Sequence, residues 1–234
     1  MTSADHVVEV GPGLGALTVE LANRVRAVVG VEIDPASVKA LELTLRDYAN
    51  VRIVEANILR TAVADLMPAP YRVVGNIPYN LTGALFAQLL EQPRPPSRID
   101  LLVQQEVAER IVAPPGAWSL ATLSVRVFGD PELVLRVPRS AFLPPPRVDS
   151  ALLRIVPEAE PALPRVALPS FFDFVTPFFQ ARRKQLPFVL SRTSRVSGAE
   201  ARDRLTVIGI DPARRAETLT LEEWRRLFES EHSA

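Results

Sequence analysis

Residues 6–15, HVVEVGPGLG, constrain this chain more than any other stretch. An apolar run ends in three glycines spaced one residue apart, and Ala16 to Arg24 follows with Leu17, Leu21 and Val25 on one helical stripe. A short buried strand that meets a glycine-rich turn and opens a helix is the first step of an alternating fold. The alternation continues. Ala27 to Val31 is a second apolar run ending in Glu32-Ile33-Asp34-Pro35, and the proline suits the first turn of a helix over Ala36 to Tyr48. Val51 to Glu55, Tyr71 to Gly75 and Ile99 to Gln104 read as further strands, Leu81 to Leu90 and Glu106 to Val112 as helices, and Ala151 to Val156 as a closing strand. Strands alternating with helices imply right-handed crossovers and a parallel sheet covered on both faces. The fold class expected is α/β, a Rossmann-like sheet over residues 1–157. Residues 157–169 hold four of the chain's 22 prolines, so 158–169 reads as a linker. Helical patterns at 171–179, 185–191, 198–208 and 221–230 then make residues 170–234 a small helical domain.

Composition excludes several classes. At 47% hydrophobic residues the chain can fill a core, which rules out wholesale disorder. No apolar run reaches the roughly 18 residues a membrane helix needs, and the N-terminus lacks the pattern of a signal peptide. With no cysteine there is no disulfide, thiolate zinc site or cysteine nucleophile. The expectation is a soluble cytoplasmic monomer without a metal. Net charge is zero, yet its distribution is uneven: residues 174–199 carry five bases (Arg182, Arg183, Lys184, Arg192, Arg195) and no acid, a face able to track phosphates.

Glycines let the turn at Gly11 and Gly13 approach a ligand closely, and the helix behind them favours negative charge. Glu32 lies 21 residues after Gly11 at the end of the next strand, where a carboxylate can accept ribose hydroxyls. The spacing is G-x-G-x-G, unlike the dinucleotide fingerprint, and Pro12 removes a backbone donor, so the turn leans towards a nucleoside cofactor without phosphates. These residues alone leave a nicotinamide dehydrogenase or a purely structural turn open.

Directly after the fourth strand stands Gly75-Asn76-Ile77-Pro78-Tyr79-Asn80. An aromatic amine delocalises its lone pair into the ring and is a poor nucleophile. Two acceptors on its N–H bonds, the Asn76 side-chain oxygen and a backbone carbonyl near Ile77, would favour a pyramidal nitrogen. Pro78 fixes the turn, and Tyr79 offers a face for an unstacked adenine. Each residue alone fits an ordinary turn; the ordered run at a strand end is what points to a pocket.

The segment NIPY resembles the adenine-N6 methyltransferase signature, and the chain over almost its whole length resembles the ribosomal RNA adenine dimethyltransferases. AFLPPPRVDSAL (141–152), FFQARRKQL (178–186), IGIDPARRAETL (208–219) and QQEVAER (104–110) are similar to that family's loop after the sheet, basic helix, C-terminal segment and stretch after the fifth strand. The resemblance implies S-adenosylmethionine as cofactor, with Gly11, Gly13 and Glu32 at its amino-acid and ribose portions, Asn57 and Ile58 at its adenine, and Ile33 also among its binding residues. Asn76 would lie between cofactor and target, with Ile77 and Pro78 shaping that pocket, Tyr79 stacking on the target base and Phe142 on its other face. Arg182, Arg183 and Lys184, and less directly Arg147, would meet RNA phosphates. His6 and His232 pair with nothing and read as structural or exposed. The implied reaction is N6-dimethylation of two adjacent adenines in the 3′-terminal hairpin of small-subunit RNA, with ribosomal RNA or the small ribosomal subunit as partner and no membrane. The alternatives are the macrolide-resistance relative acting on large-subunit RNA and a ribosome-assembly factor without catalysis. A dehydrogenase leaves GNIPYN and the basic run unexplained.

Two departures from the family pattern carry expectations. Asn57 stands where the family has Asp; its amide oxygen can still accept from an adenine amine, but less strongly than a carboxylate. The family also carries an N-terminal Gly-Gln-x-Phe-Leu motif beside the cofactor, whereas this sequence begins a few residues before its first strand. The first predicts weaker cofactor binding. The second fits a misassigned start, a trimmed sequence or a protein lacking that lid, and the sequence as written is expected to bind cofactor poorly and to be inactive.

Overall fold

The glycine turn separates β1 (His6–Val10) from α1 (Ala16–Ala22). There follow β2 (Ala27–Glu32), α2 (Pro35–Thr44), β3 (Val51–Glu55), β4 (Arg72–Asn76), α3 (Thr82–Glu91), β5 (Arg98–Gln104), α4 (Gln105–Ile111), α5 (Leu120–Arg126), β6 (Gly129–Val137) and β7 (Ser150–Pro157). Among the described residues four helices follow: α6 (Leu168–Gln180), α7 (Leu186–Thr193), α8 (Gly198–Val207) and α9 (Leu221–His232). The structure is a computed structural model and describes residues 1–232.

The strands form one sheet in the order β3-β2-β1-β4-β5-β7-β6. β1 to β5 pair in parallel; the apolar runs of β1, β2, β4 and β5 are largely buried, with Val7, Val8, Val73, Ile99, Leu101 and Val103 wholly inaccessible, while the edge strand β3 is only half-buried. β7 runs antiparallel to β5. That is where the strand–helix alternation stops: only a loop with one 3-10 turn separates β6 from β7, and a parallel neighbour needs a longer crossover. The sheet is therefore mixed, not parallel throughout.

Helix ends follow local chemistry. Asp34 caps α2 by accepting from the Ala36 and Ser37 amides, with Pro35 in the first turn. The Ser37 hydroxyl and amide hold its carboxyl below the usual range. The strand order brings the C-terminal ends of β1, β2 and β4 together around the switch between β1 and β4, where open α/β sheets bind ligands.

The described residues divide into two compact units. The first holds Met1–Ala108 and Asp130–Pro157; the second holds Glu109–Gly129 and the chain from Glu158 onward. This corrects the expectation that 109–129 belongs with the sheet. Those residues are bonded within the helical unit: the amides of Gly116 and Trp118 donate to the Glu217 carbonyl at 2.9 and 3.3 Å. The proline-rich stretch after β7 is anchored there too. Glu158 N–H donates to Phe128 O, Ala162 N–H to Val127 O, and Leu163 is buried. The core of this unit is aromatic, with Phe171 edge-on to Phe228 and Phe178 edge-on to Trp224. His232 lies against Phe174 and Phe228, its Nδ1 2.9 Å from the Phe228 carbonyl, and fills a structural place.

Candidate active site

Gly11 and Gly13 have φ of 66° and 58°, a region that L side chains rarely adopt. Gly11 N–H donates to Val31 O and ties the turn to the end of β2. Glu32, 7% exposed, is the last residue of that strand. Its Oε2 accepts from Gly13 N–H at 3.0 Å, and its Oε1 accepts from the Ile33 and Asp34 amides at 2.8 and 3.0 Å. The carboxylate thus bridges the glycine turn and the start of α2. Ile33 beside it is an exposed aliphatic side chain, 63% accessible.

Asn57 caps a 3-10 turn over Ile58–Arg60, its Oδ1 accepting from Leu59 N–H at 3.0 Å. An acceptor must face that amide, so the side-chain NH2 is turned the other way. The group Asn57 presents outward is a donor, where a carboxylate would present a second acceptor. Ile58 is buried and its carbonyl is taken by Gln88 Nε2 and Thr61 N–H, which leaves its backbone N–H as the part able to meet a ligand.

Beneath the glycine turn lies Glu9, 2% exposed. Its Oε2 and the Thr18 hydroxyl are both buried without a hydrogen-bond partner. Burial, opposed by the nearby Thr18 hydroxyl and reinforced by the charge of Glu32, raises the Glu9 carboxyl to about 7. Sequence pattern does not single this residue out, because one acid inside VVEVG carries no periodicity or spacing of its own.

β4 ends in the Asn76 turn. A Cβ on Gly75 would meet the Val10 carbonyl at 2.7 Å, so only glycine lets β4 close on β1 here. Asn76 is exposed and lines a cavity of about 360 Å³ with Gly75, Leu17, Leu21, Leu102 and Leu152. The side chain of Ile77 is buried, so its share in a pocket is limited to its backbone. Pro78, at φ −55° and ψ 130°, opens the 3-10 turn Tyr79–Leu81. The carbonyls of Pro78 and Tyr79 are taken by Leu81 N–H and the Thr82 hydroxyl. Tyr79 is half-buried, its hydroxyl 2.8 Å from Ser150 Oγ.

Phe142 is half-buried and Arg147 exposed, both on the loop between β6 and β7. Arg182, Arg183 and Lys184 are exposed in the helical unit, but not on a helix. α6 stops at Gln180, Lys184 N–H turns back to the Ala181 carbonyl, and α7 starts at Leu186 with Pro187 in its first turn. The basic run is a turn between helices, which presents its side chains in several directions instead of along one face. Arg183 and Lys184 line a cavity of about 500 Å³ with Arg202, Arg215 and Phe188. Lys184 Nζ and Arg192 Cζ lie 4.8 and 4.0 Å from the Phe188 ring centre. Arg202, Arg215 and Phe188 join this cluster from separate elements, which no local motif announces. Among the described residues no group of three or more His, Cys, Asp or Glu side chains could hold a metal, and no helix is long and apolar enough to cross a membrane.

A mixed sheet of this order, with a glycine turn after β1, a carboxylate ending β2 and Asn-Ile-Pro-Tyr after β4, defines the Rossmann-like methyltransferase class. The sequence matches the family described as ribosomal RNA adenine dimethylase over residues 1–232, and the chain belongs to that family of methyltransferases. It is 43% identical over 225 residues to the ribosomal RNA small subunit methyltransferase A of Dehalococcoides mccartyi strain CBDB1, covering 95% of this chain and 77% of the relative. With the protein of the same description from Bacillus mycoides strain KBAB4 the identity is 36% over 236 residues, 96% of this chain and 81% of the relative. Among solved structures, the 23S rRNA methyltransferase ErmE is similar at TM-score 0.77 and 32% identity, covering 98% and 92% of the two chains. A dimethyladenosine transferase from Plasmodium falciparum is similar in fold at TM-score 0.81 and 22% identity, covering 97% and 90%.

Proposed function

We propose that this chain uses S-adenosylmethionine to dimethylate N6 of two adjacent adenines in the 3′-terminal hairpin of small-subunit ribosomal RNA. The observation that carries the chemistry is the exposed Asn76 amide at the end of β4. It stands on the wall of the cavity of about 360 Å³, and in the turn beside it the Pro78 and Tyr79 carbonyls are already taken by Leu81 N–H and the Thr82 hydroxyl. The choice of RNA rests on the small-subunit enzymes, 43% and 36% identical. The 23S enzyme, at 32%, supports the alternative target.

The residues present fit the cofactor. The space around Gly11 and Gly13 is open, with nothing within 4 Å of where a Cβ would stand, as an amino-acid moiety held against backbone requires. Glu32 supplies acceptors for a ribose diol, and Ile33 supplies an apolar face for adenine. Asn57 and the Ile58 backbone reach the adenine edge. When bound, S-adenosylmethionine supplies an electrophilic methyl group on a sulfonium.

The chain's own part is binding and orientation. Asn76 Oδ1 and the Ile77 carbonyl accept from the two N–H bonds of the adenine amine, which opposes lone-pair delocalisation into the ring. Tyr79 on one face and Phe142 on the other hold the flipped base. No side chain acts as a strong base, because the amine becomes acidic once alkylated and releases its proton to water. The rate comes mainly from in-line positioning. Arg182, Arg183, Lys184 and Arg147 hold RNA phosphates, which position the substrate without reading its sequence.

Primer extension on small- and large-subunit RNA from cells lacking their own enzyme tests the reading. Stops at adjacent adenines near the 3′ end of small-subunit RNA are expected. Stops only in large-subunit RNA, together with macrolide resistance, would replace it with the alternative.

A further inference from the structure

The loop between β6 and β7 is held at its neck by two adjacent residues. Asp149 Oδ1 accepts from Arg139 N–H at 2.9 Å, closing the loop that carries Phe142 and Arg147, while the Asp149 carbonyl accepts from the N–H of Gln105, the first residue of α4 just after β5. Ser150, the next residue and the first of β7, is wholly buried. It pairs with Gln104 across the β5–β7 ladder, so its backbone is fixed by the sheet. From there its hydroxyl meets the Tyr79 hydroxyl at 2.8 Å, 71 residues away in sequence.

We infer that Ser150 is a positioning residue: its sheet-anchored hydroxyl fixes the ring of Tyr79 and, through Asp149 beside it, sets that ring against the loop bearing Phe142. The inference rests on the proposed role of Tyr79 as a platform for the target base. A half-buried tyrosine on a 3-10 turn is free to rotate about two side-chain bonds. A partner at its hydroxyl, the far end of the lever, restricts rotation about Cα–Cβ, the motion that would carry the ring away from its place. A base stacked on a ring that swings would leave its amine out of line with the methyl donor, and small misplacements at a reacting centre are costly. Ser150 touches neither base nor cofactor in this role; it acts through Tyr79 and the neighbouring Asp149.

Methyl transfer to hypomethylated small subunits, at saturating S-adenosylmethionine, is measured for the wild type, Ser150→Ala, Tyr79→Phe, the two combined, and Tyr79→Ala. Melting temperature and cofactor Kd are recorded for each. Ser150→Ala and Tyr79→Phe are each expected to lower kcat about tenfold, with cofactor Kd unchanged. The combined variant should be no worse than the weaker single one, because both remove the same bond. Wild-type kcat in Ser150→Ala, or losses that multiply in the combined variant, overturns the inference. If Tyr79→Ala loses activity while Ser150→Ala and Tyr79→Phe keep theirs, only the positioning role fails. Full activity in Tyr79→Ala removes the role of the tyrosine itself.

Discussion

Glu32 Oε2 stands 3.0 Å from the Gly13 amide, so the carboxylate that ends β2 also holds the turn that follows β1. A carboxylate offers about four lone-pair sites, and three accept from Gly13, Ile33 and Asp34. A ribose diol therefore meets one open site on Oε2 and competes with Gly13 N–H for the other. Cofactor binding and the conformation of the glycine turn are linked through this one side chain. Glu32→Gln keeps the shape but puts a donor against an amide, and is expected to weaken S-adenosylmethionine binding at least about tenfold. Calorimetry measures it, and an unchanged Kd contradicts it.

Asn57 gives the opposite change. With Oδ1 committed to Leu59 N–H, Asn57→Asp would keep the cap and add an outward acceptor for an adenine amine. Cofactor affinity should rise about tenfold, the scale of one charge-assisted hydrogen bond. The same titration checks this, and equal or weaker binding argues against the assigned adenine contact.

Glu9 predicts a pH dependence of stability. Its folded-state value of about 7 lies above the ordinary 4.5 because the carboxyl is buried. The proton is thus held more tightly in the folded protein, so the stabilising contribution is full below pH 4.5 and is lost as pH rises to about 7. The loss is about 3 kcal/mol. Glu9→Gln should remove this slope and melt higher than the wild type above neutrality. Melting curves across that range give the answer; the same pH dependence in both proteins contradicts it.

Replacing Arg182, Arg183 and Lys184 together by Ala should weaken RNA binding and flatten its salt dependence by about 0.7–0.9 for each phosphate left without a cation, with cofactor Kd unchanged. Binding titrations at several salt concentrations test this. An unaltered slope would mean that the turn between α6 and α7 is only a solvated surface.

Arg195 has φ of 55° just beyond α7, where Val196 N–H closes back on the Ser191 carbonyl. This is the left-handed residue that ends many helices and favours glycine. Arg195→Gly should stabilise the protein by about 0.5–1 kcal/mol in denaturant unfolding; destabilisation would show that the arginine side chain does more than occupy the turn.

Much of the sheet is legible from local pattern, because buried parallel strands are short apolar runs bounded by turn residues. GPGLG, Glu32 and NIPY are legible for the same reason: each sits at a strand end, where the topology gathers them. Relations between distant segments are not. Residues 109–129 look like a continuation of the alternating pattern, yet the Gly116 and Trp118 amides are satisfied at Glu217. The Tyr79–Ser150 pair joins two segments whose spacing says nothing about proximity. The outward donor at Asn57 follows from a capping bond that composition does not reveal. The basic run is visible as charge, but its turn geometry depends on where α6 ends and Pro187 restarts the helix.

Whether the Asn76 amide directs methylation of an adenine amine in small-subunit RNA is decided by labelled methyl transfer to hypomethylated small subunits. The wild type and Asn76→Ala are compared, with the modified bases mapped. The wild type should place N6,N6-dimethyladenine at adjacent positions near the 3′ end, while Asn76→Ala binds S-adenosylmethionine but transfers about a hundredfold less label. Wild-type transfer by Asn76→Ala, or label confined to other RNA, would overturn the assignment.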